Sequence, residues 1–142
     1  MNSCEPNPAD AARKAGCVLM VDDEEALRGI YAAILAPHFD VATAGNTHEA
    51  DVLMQKQNFK VIIADHLMPG ETGLSFLGRA RNAFPQVQRV LVTGNMTEQM
   101  QRTATESNLL FAFLVKPIGF TELINVVKAA AQVYDTRCAT VK

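Results

Sequence analysis

The stretch "KVIIADHLMPGETG", residues 60–73, joins two features that conflict unless the chain is arranged around them. Lys60 leads into Val61, Ile62, Ile63 and Ala64, an apolar run suited to a strand buried on both faces of a sheet. Asp65 then ends the run, and a carboxylate is among the costliest groups to bury. Pro69-Gly70 follows as a turn signal. A carboxylate held at the end of a rigid apolar strand calls for a chemical reason.

Outward from this stretch, short apolar runs bounded by turn signals alternate with longer amphipathic segments. Strands are predicted at Cys17–Val21, Phe39–Ala42, Val61–Ala64, Arg89–Val92 and Phe111–Val115. Between them, apolar residues recur at spacings of three and four: Leu27, Ile30, Tyr31, Ile34 and Leu35 in the first helix, and Phe120, Leu123, Ile124, Val127 and Ala131 in the last. Asn46 with Glu49, and Asn95 with Glu98, have the spacing of a helix N-cap and an acidic third residue. The helix in "MTEQMQRTATESN" has the weakest apolar stripe, Met96, Met100, Thr103 and Ala104, and should dock least firmly.

Five strand–helix repeats with short connections predict an α/β fold: a doubly wound five-stranded parallel sheet of flavodoxin-like order 2-1-3-4-5, with helices on both faces. The expected organisation is a tail over residues 1–16, with a frayed helical turn at Ala9–Lys14, one domain over residues 17–134, and a second tail over residues 135–142. At 142 residues there is room for one core and not for two.

Composition narrows the function classes. Hydrophobic residues at 49% and charged residues at 20% fit a globular core. A net charge of -2 with scattered Lys and Arg leaves no electrostatic footprint for nucleic acid or an anionic membrane. Cys4, Cys17 and Cys138 show neither metal-ligand spacing nor a disulfide framework, so free thiols are expected. With no signal-peptide pattern and no apolar run of membrane-spanning length, a cytoplasmic protein is expected.

In such a fold the ligand crevice lies at the carboxyl ends of the strands. The polar residues there are Asp22 and Asp23 in "VLMVDDEE", Asp65 in "VIIAD", Thr93 in "VLVTG" and Lys116 in "FLVKP". Like charges about 4 Å apart at an effective dielectric near 20 cost roughly 4 kcal/mol per pair, so three carboxylates together require a cation. Mg²⁺ suits this set, because it takes one or two carboxylates and completes its shell with water and phosphate oxygens. Asp65, on the middle strand, is the best candidate for a nucleophile in phosphoryl transfer. Plainer roles fit each residue singly: Asp22 and Asp23 as helix caps, Asp65 opening a turn, Thr93 as a cap and Lys116 as a solvated side chain. The joint placement at one edge favours the chemical reading.

"VDDEE", "IIADHLMPGETG", "VLVTG" and "FLVKP", in this order and at these spacings, resemble the receiver domain of two-component response regulators over Cys17 to about Val133. The resemblance implies that Asp65 accepts a phosphoryl group from a sensor histidine kinase or a histidine phosphotransfer protein. It implies that Asp22, Asp23, Asp65 and the Leu67 carbonyl bind Mg²⁺, that Thr93 and Lys116 contact the phosphoryl group, and that a cis peptide precedes Pro117. Phe113 falls at the aromatic switch position, where an ordinary apolar strand residue would also fit. Tyr is frequent there, and Phe lacks its hydroxyl. His66, beside the phosphoacceptor, reads as a solvated loop residue. "QRVLVTGN" and "LLFAFLVKPI" also resemble receivers attached to HD-GYP phosphodiesterases.

The reading that follows is a phosphorylation-controlled binding module and not an enzyme acting on a diffusible substrate. Output is expected through a partner protein, a phosphorylation-dependent dimer or a domain outside these residues, with the face of the fourth helix, fifth strand and fifth helix as the contact. A phosphatase of the haloacid dehalogenase type would need an Asp where Leu67 stands. A receiver-like scaffold that binds partners without phosphorylation is the alternative.

Overall fold

A computed structural model of the chain describes residues 15–106 and 108–140. The turn expected at Ala9–Lys14 lies outside the described residues. Strands β1 (Cys17–Val21), β2 (Asp40–Ala44), β3 (Val61–Asp65), β4 (Gln88–Thr93) and β5 (Ala112–Val115) alternate with helices α1 (Glu25–Leu35), α2 (Thr47–Lys56), α3 (Gly73–Ala83), α4 (Glu98–Glu106) and α5 (Phe120–Thr140). All strand pairs are parallel and the order is β2-β1-β3-β4-β5.

Alternation along each strand divides the core into two layers. Leu19, Val21, Ile62, Ala64 and Leu91 pack with Ala50 and Met54 of α2 and Phe76, Leu77 and Ala80 of α3. Val18, Met20, Ile63, Val90 and Val92 pack with Tyr31 and Leu35 of α1 and Leu123, Val127 and Ala131 of α5. Every residue of β1, β3 and β4 is buried, which explains why their sequences are continuous apolar runs without polar alternation.

Several expected boundaries and faces differ. Phe39 is fully buried but precedes β2, and the strand instead continues to Ala44, paired with Val21. The predicted stripe of α1 includes Ile30, which is 48% exposed, because it is adjacent to the buried Tyr31 and so points about 100° away from it. Phe120 is 66% exposed, since α5 starts there and meets the sheet only from Leu123. The N-cap at Asn46 is present, with its side chain accepting from Glu49 N–H at 2.8 Å. Asn95 does not cap α4: Thr97 Oγ1 accepts from Met100 N–H at 3.1 Å, and the helix starts at Glu98. As expected from its stripe, α4 buries little, with Ala104 its one buried residue among those described.

α5 continues to Thr140, through much of the segment expected to be a tail, and Lys60 pairs with Asp135 at 2.7 Å. Cys138 is free, but Cys17 is disulfide-bonded, which corrects the expectation of free thiols there. Sequence spacing does not show which sulfurs come within bonding reach. No helix among the described residues is long and apolar enough to cross a membrane.

The β3–α3 connection holds the end of β3 tightly. Gly70 takes φ +88° in the Pro-Gly turn, a conformation that suits glycine. A Cβ on Gly73 would collide with the Asp65 backbone carbonyl, whereas one on Gly78, in the middle of α3, would meet open space. Gly73→Ala is therefore expected to lower stability by about 1–3 kcal/mol. Gly78→Ala should raise it by up to about 1 kcal/mol. Urea unfolding of the two variants beside the wild type tests this opposite pair of signs.

Candidate functional site

Register places the polar strand ends side by side. Val21 of β1 pairs with Ala64 of β3, so Asp22 and Asp65 both follow that pair. Asp65 pairs with Val92, one residue before Thr93, and Thr93 pairs with Val115, one residue before Lys116. Carboxylate oxygens of Asp22, Asp23 and Asp65 all lie within 4.8 Å of one another. Lys116 Nζ is 2.9 Å from Asp65 Oδ1 and 3.8 Å from Asp22 Oδ2, and the Lys116–Pro117 peptide is cis.

Three carboxylates thus share one ammonium. Asp22 is fully buried; Oδ1 accepts from Glu24 N–H at 2.9 Å, while Oδ2 is enclosed with no hydrogen-bond partner. A buried carboxylate oxygen without a donor is costly, and hard oxygen donors crowded at this spacing fit a divalent cation such as Mg²⁺. Glu24 occupies the N-cap of α1 and makes no side-chain capping bond, so neither Asp acts as the cap of that helix. Burial raises the Asp22 pKa, and the charge of Asp65 adds to it against the opposing Glu24 hydrogen bond and Lys116. For Lys116 burial acts downward, but the Asp65 hydrogen bond and the Asp65 and Asp22 charges outweigh it and the net shift is upward.

Thr93 is buried, but its hydroxyl faces the β4–α4 loop: Oγ1 donates to the Asn95 carbonyl and accepts from Asn95 N–H, both at 3.2 Å. Phe113 is 37% exposed and lines a cavity of about 440 Å³ with Ala104, Thr105 and Leu110, between α4 and β5. Leu67 is 73% exposed, so an apolar side chain lies at the mouth of the site.

Three side chains near the site escaped the sequence reading. Arg79 of α3 grips Glu71 with two bonds of 2.8 Å and reaches Asp51 of α2 at 3.2 Å, fastening the loop that follows Asp65. The Arg79 hydrogen bonds hold Glu71 below its ordinary pKa despite some burial. His66 is not a free loop residue: its Nδ1 accepts from Leu74 N–H at 3.4 Å, in the first turn of α3. Tyr31 is raised in pKa by burial and lies within the fields of Lys116, Asp22 and Asp65. In the sequence its place in the α1 stripe reads only as core, and the Arg79 pairs join separate elements, so no local pattern marks them.

A family model described as the response regulator receiver domain matches residues 18–128. The hydrogenase transcriptional regulatory protein HoxA of Bradyrhizobium diazoefficiens is 29% identical over 119 residues, covering 84% of this chain and 24% of HoxA. The alginate biosynthesis transcriptional regulatory protein AlgB of Pseudomonas syringae pv. tomato is 32% identical over 114 residues, covering 80% of this chain and 25% of AlgB. The chain spans about a quarter of the length of these curated relatives. Among solved structures, a signal receiver domain of an HD domain-containing protein from Pseudomonas fluorescens Pf-5 superposes with a TM-score of 0.80 at 21% identity, over 84% of this chain and 97% of that one. At that identity the likeness is one of fold.

The raised Asp22 pKa has a measurable consequence. The ordinary value is near 3.8 and the folded value lies above it, so the folded state binds the proton more tightly. Asp22 then favours folding below the unfolded pKa, and this contribution is lost as pH rises through the folded value. In metal-free buffer, Asp22→Asn is expected to unfold at higher urea than wild type at pH 7, by on the order of 1 kcal/mol. The gap should narrow toward pH 4. Equal midpoints at pH 7 would show that the carboxylate is already compensated.

Proposed function

The chain belongs to the response regulator receiver domain family, and on that premise we propose that it is a Mg²⁺-dependent phosphoacceptor whose Asp65 takes a phosphoryl group from a sensor histidine kinase or histidine phosphotransfer protein. The observation that carries this reading is the Asp22, Asp23 and Asp65 cluster with Lys116 at 2.9 Å from Asp65 and an unpartnered, buried Asp22 oxygen.

In this mechanism an Asp65 oxygen attacks the phosphorus of a phosphohistidine, the P–N bond breaks, and the imidazole leaves with its electron pair. Asp22, Asp23, Asp65 and the Leu67 carbonyl would hold Mg²⁺, which offsets the charge that otherwise repels an incoming phosphoryl group. Lys116, already paired with Asp65, pairs with the phosphoryl oxygens instead, its position fixed by β5. Buried strand ends hold nucleophile and counter-charge in place, so little reorganisation precedes transfer.

The phosphoryl group then competes for the Thr93 hydroxyl, which would exchange its Asn95 contacts for a charge-assisted bond. Movement of Thr93 opens space toward which Phe113 turns, and α4, with little buried surface, repacks at small cost. A shift from 1:99 to 99:1 needs about 5.5 kcal/mol of preference for the active state, within reach of a few such bonds. Val115, Phe113 and Phe120, each more than a third exposed, lie on the β5–α5 side of the molecule where the output partner, a second copy, or an output domain would dock. An unphosphorylated scaffold is the weaker reading, since it offers no use for an enclosed, unpartnered carboxylate oxygen.

Intact mass after incubation with acetyl phosphate and Mg²⁺ provides the direct test. One phosphoryl adduct is expected on the wild type, none on Asp65→Asn, and none when EDTA replaces Mg²⁺. An unmodified wild type that still gains stability from Mg²⁺ would support the scaffold.

A further inference from the structure

The loop after Asp65 is tied down by a charge network that phosphoryl transfer itself does not use. Backbone bonds hold its two ends: His66 N–H donates to the Val92 carbonyl at 2.8 Å, and Gly73 N–H donates to the His66 carbonyl at 2.9 Å. Between them Leu67 turns its side chain to solvent, so that side chain cannot fix the backbone it belongs to. Gly70, at φ +88°, adds a turn with no side chain to pack. Met68 is buried, and the next anchor along the loop is the Glu71 carboxylate. Its two oxygens take both sides of the Arg79 fork, Oε1 from Nη2 and Oε2 from Nε, each at 2.8 Å, and Oε2 also accepts from Ser75 Oγ at 3.1 Å.

Arg79 is itself held in place. Its Nη2 and Nη1 reach Asp51 Oδ2 and Oδ1 of α2 at 3.2 and 3.4 Å, and its guanidinium lies 5.5 Å from the ring centroid of Phe76, which is fully buried in the core layer of α2 and α3. One planar cation thus joins the loop to two helices, in a forked geometry that a point charge such as Lys does not reproduce. Half-exposed ion pairs of this kind add little to global stability, so the effect of the network is local order. We propose that Arg79 is a positioning residue for the metal site: by holding Glu71 against α2 and α3 it fixes the β3–α3 loop, and with it the Leu67 carbonyl, for the uptake of Mg²⁺. This inference rests on the reading of the acidic edge as a Mg²⁺-dependent phosphoacceptor. Mg²⁺ demands near-ideal octahedral geometry, so a carbonyl ligand on a loosened loop costs affinity.

The sign of the effect separates positioning from plain electrostatics. Removing a cation tightens Mg²⁺ binding if Arg79 acts only through its field, whereas losing a positioning contact weakens it. The test is a Mg²⁺ titration of the full chain, followed by ¹⁵N–¹H correlation spectra at constant ionic strength and without a phosphodonor. Arg79→Gln is expected to bind Mg²⁺ about tenfold more weakly than wild type, with its urea midpoint unchanged. Arg79→Lys, which keeps the charge but not the fork, should fall between the two. In EDTA the Gly73 amide should exchange with solvent faster in Arg79→Gln than in wild type, while the amides of Ile63 and Val90 exchange alike. With acetyl phosphate, Arg79→Gln should form the Asp65 adduct at the wild-type rate once Mg²⁺ saturates and more slowly below saturation. A wild type that binds Mg²⁺ beside an Arg79→Gln of equal or tighter affinity would overturn the positioning role alone. A wild type that binds no Mg²⁺ would overturn the phosphoacceptor reading, and this inference with it.

Discussion

The parallel register of β1, β3, β4 and β5 is the constraint on which the site depends. The β1–β3 and β3–β4 pairings are anchored by side chains buried on both faces, so a slip of one residue would invert two core layers at once, and β5 joins them through its buried Leu114. Because the register is so strongly held, the residues just beyond the last apolar pairs have no freedom to separate. Asp22 is forced beside Asp65, and Thr93 and Lys116 are carried to the same edge. The hydrophobic core thereby does electrostatic work: its packing free energy holds like charges together that would otherwise move apart.

That stored repulsion shapes the site's response. One ammonium for three carboxylates, with an Asp22 oxygen enclosed and unpartnered, is a centre that gains by acquiring a cation. The surroundings are graded in firmness. The loop after Asp65 is fastened by Arg79 through Glu71 and Asp51 and by the close approach of Gly73 to the Asp65 carbonyl. The opposite side, by contrast, has α4 with little buried surface and Thr93 held by two bonds of 3.2 Å. A rigid wall behind the nucleophile and a loosely held one in front direct any rearrangement toward α4 and β5.

β4 links two oppositely charged ends. Its carboxyl end delivers Thr93 to the acidic edge, and its amino end buries Arg89 against neutral carbonyls at the basic one. At the carboxyl end the Thr93 hydroxyl is satisfied by the Asn95 backbone, and at the amino end Arg89 donates to the Leu109 and Val87 carbonyls. The residues between them, Val90, Leu91 and Val92, are apolar and fully buried.

Much was legible in the amino-acid order. Apolar runs ending in Asp22, Asp65, Thr93 and Lys116 follow from the two-sided burial of parallel strands, so strand number, strand order and the members of the acidic edge could be read directly. Local capping was partly legible: Asn46 was found, but Asn95 was not distinguishable from Thr97, since both offer an oxygen near the same helix start. Helix stripes overreached at Ile30 and Phe120, because periodicity marks a face without saying where the neighbouring sheet ends. Only the tertiary structure decided the disulfide at Cys17, the Arg79 clamp, the unpartnered Asp22 oxygen and the burial of Arg89. The sequence by itself determined which groups reach each edge, because strand periodicity is a property of the local chain. The tertiary structure decided which groups find partners there, because distance and desolvation depend on elements far apart along it.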